Sequence, residues 1–266
     1  MIRPNRSHPL NRGRLAWWLA LPAGTGIGES LADIWGANPA SSPDPPTPVR
    51  GLGLAGMAAR FDGSTQWARA AMPTVAAFTF LAWVRFDNFT GATILKNWGA
   101  SVAGYLHWDA STAAPGQVRA YVNSTSGGGG YATDGGTLSA GVAYRLAVTA
   151  GGGNIAVYRD GVSVGTGSYA GSLSSTLGYL ALGTKLVDDQ SAPDGTDKFL
   201  AGTMGDVSLW GRALSAAEIL AVDREMRARY PGMLVRDRPN LARFRRSGAG
   251  PKGAHHFYRL LAGGQS

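Results

Sequence analysis

From Ala58 onward, apolar and polar residues alternate in short runs between glycine-rich turns, the period-two pattern of half-buried strands. "MAARFDGSTQWARA" reads as two strand pieces about Asp62-Gly63. In "FTFLAWVRFD", Phe78, Phe80, Ala82, Val84 and Phe86 share one face, and Thr79, Leu81, Trp83 and Arg85 the other. Both faces are apolar until Arg85, which predicts an inner strand of a sandwich. "ATILKNW", "GYLHWD", "GQVRAYVNS", "AYRLAVTA" and "GYLALGTK" continue the series. In "IAVYRDGVSVG", Asp160-Gly161 favours the positive-φ turn that matches strand twist, so Val157 and Val162 fall in adjoining strands of a hairpin. One segment has a helical period: "LSAAEILAVDREMRARY", with Ser215 and Glu218 as a capping box and Ile219, Leu220, Val222 and Met226 as its apolar face. Pro231-Gly232 ends it. The remaining "MLVRDRPNLARFRRSGAGPKGAHHFYRLLAGGQS" has no sustained period and reads as an arm.

Two stretches before Ala58 are less direct. "NRGRLAWWLALPAG", Asn11 to Gly24, has a basic run, an apolar stretch and small residues, the build of a secretory leader; alternatively, Leu15 to Leu21 is the first strand. The following "ANPASSPDPPTPVRG" holds Pro39, Pro43, Pro45, Pro46 and Pro48. Each proline removes a ladder donor, so this is expected to be a surface excursion outside any central strand.

Composition narrows the class. The 266 residues are 44% apolar and 16% charged, enough for one substantial core. No stretch is apolar for long enough to span a bilayer as a helix. Without cysteine there is no disulfide, thiolate metal site or thiol nucleophile. The net charge of +8 sits at the ends. Residues 1–14 hold Arg3, Arg6, Arg12 and Arg14 with no acid, and residues 223–266 hold ten Lys or Arg against Asp223, Glu225 and Asp237. The body between is slightly acidic. Such ends suit nucleic acid, an anionic membrane or an acidic protein partner, and equally serve as solvated tails.

Taken in order, "HPLNRGRLAWWLAL", "RFDGSTQWA", "FTFLAWVRF", "NIAVYRDGVSVGTG" and "LAGTMGDVSLWGRALSAAEI" resemble the laminin-G-like, concanavalin A-like lectin-glucanase jelly rolls, in their short bacterial or phage form. The resemblance implies an all-β fold, an antiparallel β-sandwich (concanavalin A-like jelly roll) with one C-terminal helix and basic terminal arms. It divides the chain into a basic N-terminal arm at 1–14, a laminin-G-like sandwich at 15–222, a closing helix at 215–231 and a basic C-terminal arm at 232–266. It also places Trp17 and Trp18 in a sandwich strand. The family often has an acid soon after the "FDG" turn, whereas "STQW" follows here, which counts against calcium near Asp62. Calcium has a second candidate in Asp188, Asp189, Asp194 and Asp197 of "KLVDDQSAPDGTDKF", hard oxygen ligands whose spacing matches no EF-hand.

Catalysis is not expected. Glycan cleavage needs two carboxylates across a sugar-binding face, and the only glutamates are Glu29, Glu218 and Glu225. "GVSVG" around Ser163 matches a nucleophile elbow in letters only, because it sits in a hairpin instead of between a strand and a helix. His8, His107, His255 and His256 suggest neither a zinc site nor a triad, and the glycines of "STSGGGGY" and "TAGGGN" read as mobile loops. Aromatic residues are the better lead. Trp98, Tyr105, Trp108, Tyr121 and Tyr131 lie in one region, and sandwich modules stack sugars on such platforms; Trp98, Tyr105, Trp108 and Tyr131 are the candidate carbohydrate-binding set. Arg3, Arg6, Arg12, Arg236, Arg238, Arg243, Arg245 and Arg246 are candidate anchors.

The expected function is a non-catalytic structural or display protein at a phage virion surface, its lectin-like sandwich anchored by basic termini to an acidic assembly of capsid or tail proteins. No cofactor is expected other than the candidate Ca2+. A glycan ligand and a second copy of the chain are further expected partners; nucleic acid is not. The alternative is a carbohydrate-binding adhesion module of a secreted or cell-surface bacterial protein, and a glycoside hydrolase comes third.

Overall fold

A computed structural model of the protein describes residues 2–19, 32–33, 40, 45–50, 57–97, 106–110, 114–124, 128–173, 178–187, 191–195, 198–228 and 234–236. The chain divides into two units, residues 3–235 and residues 1–2 with 236–266. Of the second unit only positions 2 and 236 are described, in the short strands β1 (Ile2–Pro4) and β17 (Leu234–Arg236).

The larger unit is a sandwich of two antiparallel sheets, as the alternation predicts. The larger sheet contains β2 (Arg14–Leu19), β3 (Ala32–Asp33), β4 (Thr47–Arg50), β5 (Met57–Asp62), β7 (Phe78–Phe86), β12 (Ala143–Gly151), β13 (Asn154–Arg159), β14 (Val162–Ser168) and β16 (Ala201–Trp210), in the order β14-β13-β12-β7-β16-β2-β3, with β5 on β16 and β4 on β5. The second comprises β6 (Ala68–Ala71), β8 (Thr93–Asn97), β9 (Leu106–Asp109), β10 (Arg119–Asn123), β11 (Gly129–Thr133) and β15 (Tyr179–Leu182), in the order β11-β10-β9-β8-β15-β6.

Strand parity decides what each side chain packs against. On β7, Phe78, Phe80, Ala82, Val84 and Phe86 fill the space between the sheets, while Leu81 and Trp83 face a second cluster on the outside of the larger sheet. An inner strand with two apolar faces is what its sequence requires. The described part of "LAWWLAL" likewise lies in a strand, β2: Trp18 enters the inter-sheet core and Trp17 the outer cluster, both fully buried. Of the proline-rich stretch, Pro48 lies in β4, whose described pairing is with β5 alone, so its missing donor breaks no ladder in the middle of the sheet.

The outer cluster exists because helix α1 (Ala216–Arg227) lies over it. Ser215 and Glu218 form the predicted capping box. Ile219, Val222 and Met226 bury against Trp17, Tyr158 and Trp210, whereas Leu220 is only half-buried. The Trp210 indole donates to the Leu10 carbonyl at 2.9 Å, drawing the turn at Pro9–Asn11 onto the same cluster. Arg14, part of the basic N-terminal run, is only 4% exposed. Its guanidinium stacks 3.9 Å from the Trp17 ring and 4.3 Å from Trp210, a structural use of charge. Arg145 of β12 bridges Asp223 on the helix and Asp160 in the hairpin turn, and Arg227 holds the other Asp223 oxygen at 2.8 Å.

Parts of both glycine runs lie in strands and a tight turn. "TAGGGN" ends β12, and Gly152 and Gly153, at φ 59 and 81, form its tight turn into β13. In "STSGGGGY", Gly129 and Gly130 open β11. There the two sheets come together without side chains between them: a Cβ at Gly130 would strike the Ser168 carbonyl, one at Gly165 that of Thr133, and one at Gly167 that of Tyr131. Alternation of Gly165 and Gly167 along β14 therefore brings its backbone against β11 and shuts this end of the sandwich.

Candidate functional site

The outer face of the six-stranded sheet has a different character. Ala68, Ala70, Trp108, Ala120, Val122, Ala132, Leu180 and Leu182 point into the core, so the intervening residues point out. Register places Arg69, Ala181, Lys96, His107, Tyr121 and Tyr131 directly opposite one another, one from each of the six strands. At roughly 4.8 Å per strand the row spans about 24 Å. Asp109, Arg119 and Thr133 form a shorter row beside it. Tyr179, two residues from Ala181, carries the Arg69 guanidinium 4.7 Å from its ring centroid.

Tyr121 and Tyr131 make an aromatic surface at one end of this row. Tyr131 is 62% exposed. The Tyr121 hydroxyl reaches the space a Cβ of Gly129 would take, so its ring extends along the neighbouring strand over a glycine.

Toward the other end, the segment after β15 folds back over the sheet. Leu186 and Phe199 pack on Trp67 and Ala181, and Lys185 pairs with Asp194. Lys96 consequently lies 4% exposed although it points away from the core. Burial pulls its amine down to about 7; Asp109 opposes the fall, Lys185 and Lys198 add to it, and Asp194 opposes it. On the neighbouring row, the buried Arg119 Nε has no hydrogen-bond partner among the described residues. The face thus combines tyrosine rings with a basic, partly covered margin.

A family model described as the concanavalin A-like lectin/glucanases superfamily matches residues 61–220, more than half of the chain. The protein belongs to this superfamily. Among solved structures it is similar to the binding domain of the Paraclostridial Mosquitocidal Protein 1, with a TM-score of 0.61 at 11% identity, over 80% of this chain and 52% of that one. It is similar also to domain 4 of AbnA, an extracellular arabinanase from Geobacillus stearothermophilus solved with arabinotriose, with a TM-score of 0.54 at 16% identity over 79% and 98%. A third similarity is to the Trypanosoma rangeli sialidase, with a TM-score of 0.52 at 16% identity over 80% and 33%. The chain therefore spans about half the length of the mosquitocidal domain and a third of the sialidase. At these identities the likeness is one of fold. No curated protein matches the chain.

Within this lectin/glucanase sandwich the candidate residues separate. Trp108 is 0% exposed and sits in the inter-sheet core, so it cannot stack a surface sugar; the parity of β9 turns it inward. Tyr131 stands on the outer face, joined there by Tyr121. Trp98 and Tyr105 lie outside the described residues. Of the calcium candidates, Asp194 is paired with Lys185, and Asp188, Asp189 and Asp197 lie outside the described residues. No group of three His, Cys, Asp or Glu able to hold a metal occurs among the described residues.

Asp62, at the end of β5, already has an occupation. Its carboxylate accepts from the backbone of Ser64, Thr65 and Gln66 at 2.9–3.0 Å, and from the Ser64 and Thr65 hydroxyls. Burial raises its pKa, but those hydrogen bonds outweigh it and hold the carboxyl well below the usual range. Among the anchor candidates, Arg6 and Arg12 are exposed beside the Pro9–Asn11 turn. Arg3 and Arg236 are described by backbone alone, and Arg238, Arg243, Arg245 and Arg246 lie outside the described residues. Ser163, central to "GVSVG", lies on β14 opposite Tyr158.

Proposed function

We propose that the protein is a non-catalytic carbohydrate-binding module that holds a glycan across the outer face of its six-stranded sheet. The carrying observation is the row from Arg69 to Tyr131. It puts an exposed Tyr131 beside a half-buried Tyr121 at one end and charged, hydrogen-bonding groups at the other, the mixture that stacks sugar rings and orients hydroxyls. The superfamily membership and the similarity to an arabinanase domain solved with arabinotriose support this reading. A binding role without turnover is supported by the glutamates: Glu218 and Glu225 lie on α1, against the opposite sheet, and away from this face. A glycan array probed with the full chain tests the proposal. Binding that is lost in Tyr121→Ala and Tyr131→Ala, with thermal midpoints retained, is the expected result; no binding across the array contradicts it.

The segregation of charge to the two ends favours a setting for that module. We propose that it is displayed on a phage virion surface, with the basic termini gripping an acidic assembly of capsid or tail proteins. Removing residues 234–266 should abolish incorporation into particles. Normal incorporation of the truncated chain would contradict anchoring and leave glycan binding to its own test.

A further inference from the structure

We propose that the glycan held on this face is acidic, a saccharide bearing carboxylate groups, and that Arg119 takes a carboxylate. The inference rests on the glycan-binding reading of the same face. Among the described residues, the strands present Arg69, Lys96 and Arg119 outward, and the covering segment adds Lys185 and Lys198; Asp109 and Asp194 are the acids that oppose them. Among the described residues the cations of this face outnumber its acids; Asp188, Asp189 and Asp197 of the covering segment lie outside the described residues.

Arg119 is the specific donor. It lies in β10 two residues before Tyr121, so its side chain and the Tyr121 ring share one face of one strand. Its buried Nε has no hydrogen-bond partner among the described residues, and a buried donor left so calls for an acceptor. A guanidinium presents its donors in a planar fork that fits a carboxylate, which a lysine ammonium does not reproduce. A sugar ring stacked on Tyr121 and Tyr131 would bring a ring carboxylate toward that fork. Lys96 reinforces the choice. Its amine is charged below about 7 and loses charge above it, since Lys185 and Lys198 add to the effect of burial. An anion placed near it would restore the charge.

The test is calorimetric titration of the full chain with oligogalacturonate, alginate oligomers and oligosialate, each against its carboxyl-reduced form. At least one acidic form should bind ten-fold or more tightly than its reduced partner, with affinity falling as salt rises. Arg119→Gln and Arg119→Lys should each remove most of that preference, the lysine variant retaining the salt dependence, with the fold checked by thermal midpoint. Equal binding of acidic and reduced forms, or binding of neutral glycans alone, overturns the acidic inference and leaves glycan binding standing. Absence of any glycan binding overturns both. Dextran sulfate or duplex DNA bound as tightly, and insensitive to both Arg119 variants, would show a general polyanion surface and overturn the role of Arg119.

Discussion

The two outer faces of the sandwich start from the same alternation and end differently. On the larger sheet the outward residues are Trp17, Leu81, Ala147, Tyr158 and Trp210, and a helix seals them. Its charged groups are consumed in holding that helix, with Arg145 between Asp223 and Asp160 and Arg14 between two indoles. On the smaller sheet the outward residues are Arg69, Lys96, Arg119, Tyr121 and Tyr131, and among the described residues the cover of Leu186 and Phe199 lies on one side. Packing stabilises the first face; on the second Tyr131 stays exposed and Tyr121 half-buried, while Lys96 is buried under the cover. An aromatic residue therefore has no fixed meaning in such a chain, and strand parity decides whether it builds or binds.

The largest perturbation of this contrast is expected on the sealed face. Trp210→Ala removes a fully buried indole and its bond to Leu10, and should cost about 3–5 kcal/mol in urea unfolding. Asp223→Ala strips α1 of its tie to Arg145 and Arg227. Because Asp160 still pairs with Arg145, the loss should fall near the low end for broken buried pairs, about 3 kcal/mol by the same measurement. A cost below about 1 kcal/mol for either would mean the helix is a passive cover.

Gly167→Ala touches the seam where the two sheets meet. A methyl group against the Tyr131 carbonyl should force β11 and β14 apart, cost about 1–3 kcal/mol and disturb the tyrosine surface together with stability. Unchanged stability would show that this edge can open freely.

Lys96 gives the outer face of the six-stranded sheet a pH signature. Its folded value is about 7 against an ordinary 10.5, so between those limits the unfolded chain holds a proton that the folded chain has released. Stability should therefore rise with pH across that window, by about 1 kcal/mol per unit. Urea titrations at pH 7.5 and 9.5 should show the rise in the wild type and its absence in Lys96→Met; equal slopes would mean that Lys96 keeps its proton. Tyr131→Ala should have the smallest effect on stability, about 0.5 kcal/mol or less for so exposed a ring, and the clearest effect on glycan affinity.

Much of the fold could be read from residues. The two apolar faces of Phe78–Phe86, the Asp160-Gly161 turn and the Ser215–Glu218 box are local signals with local causes, and each corresponds to the structure. The outer face of the six-stranded sheet was harder because its meaning is non-local. Trp108 and Tyr121 lie in similar strands, and only which parity of each strand faces the other sheet separates a core indole from a half-buried phenol on the outer face. Glycine misled for the same reason. Gly129, Gly165 and Gly167 are needed by partners on other strands, and nothing in their own neighbourhood announces this. Arg14 shows the converse, a charge counted with a solvated run that packs between rings.

The most direct measurement is backbone hydrogen exchange of the full chain with and without the best-bound oligosaccharide from the array. Added protection should concentrate in residues 119–133 and 179–182, with residues 216–227 of the helix unchanged. Protection confined to the helix-covered face, or none in β10 and β11, would contradict the assignment of binding to the six-stranded sheet.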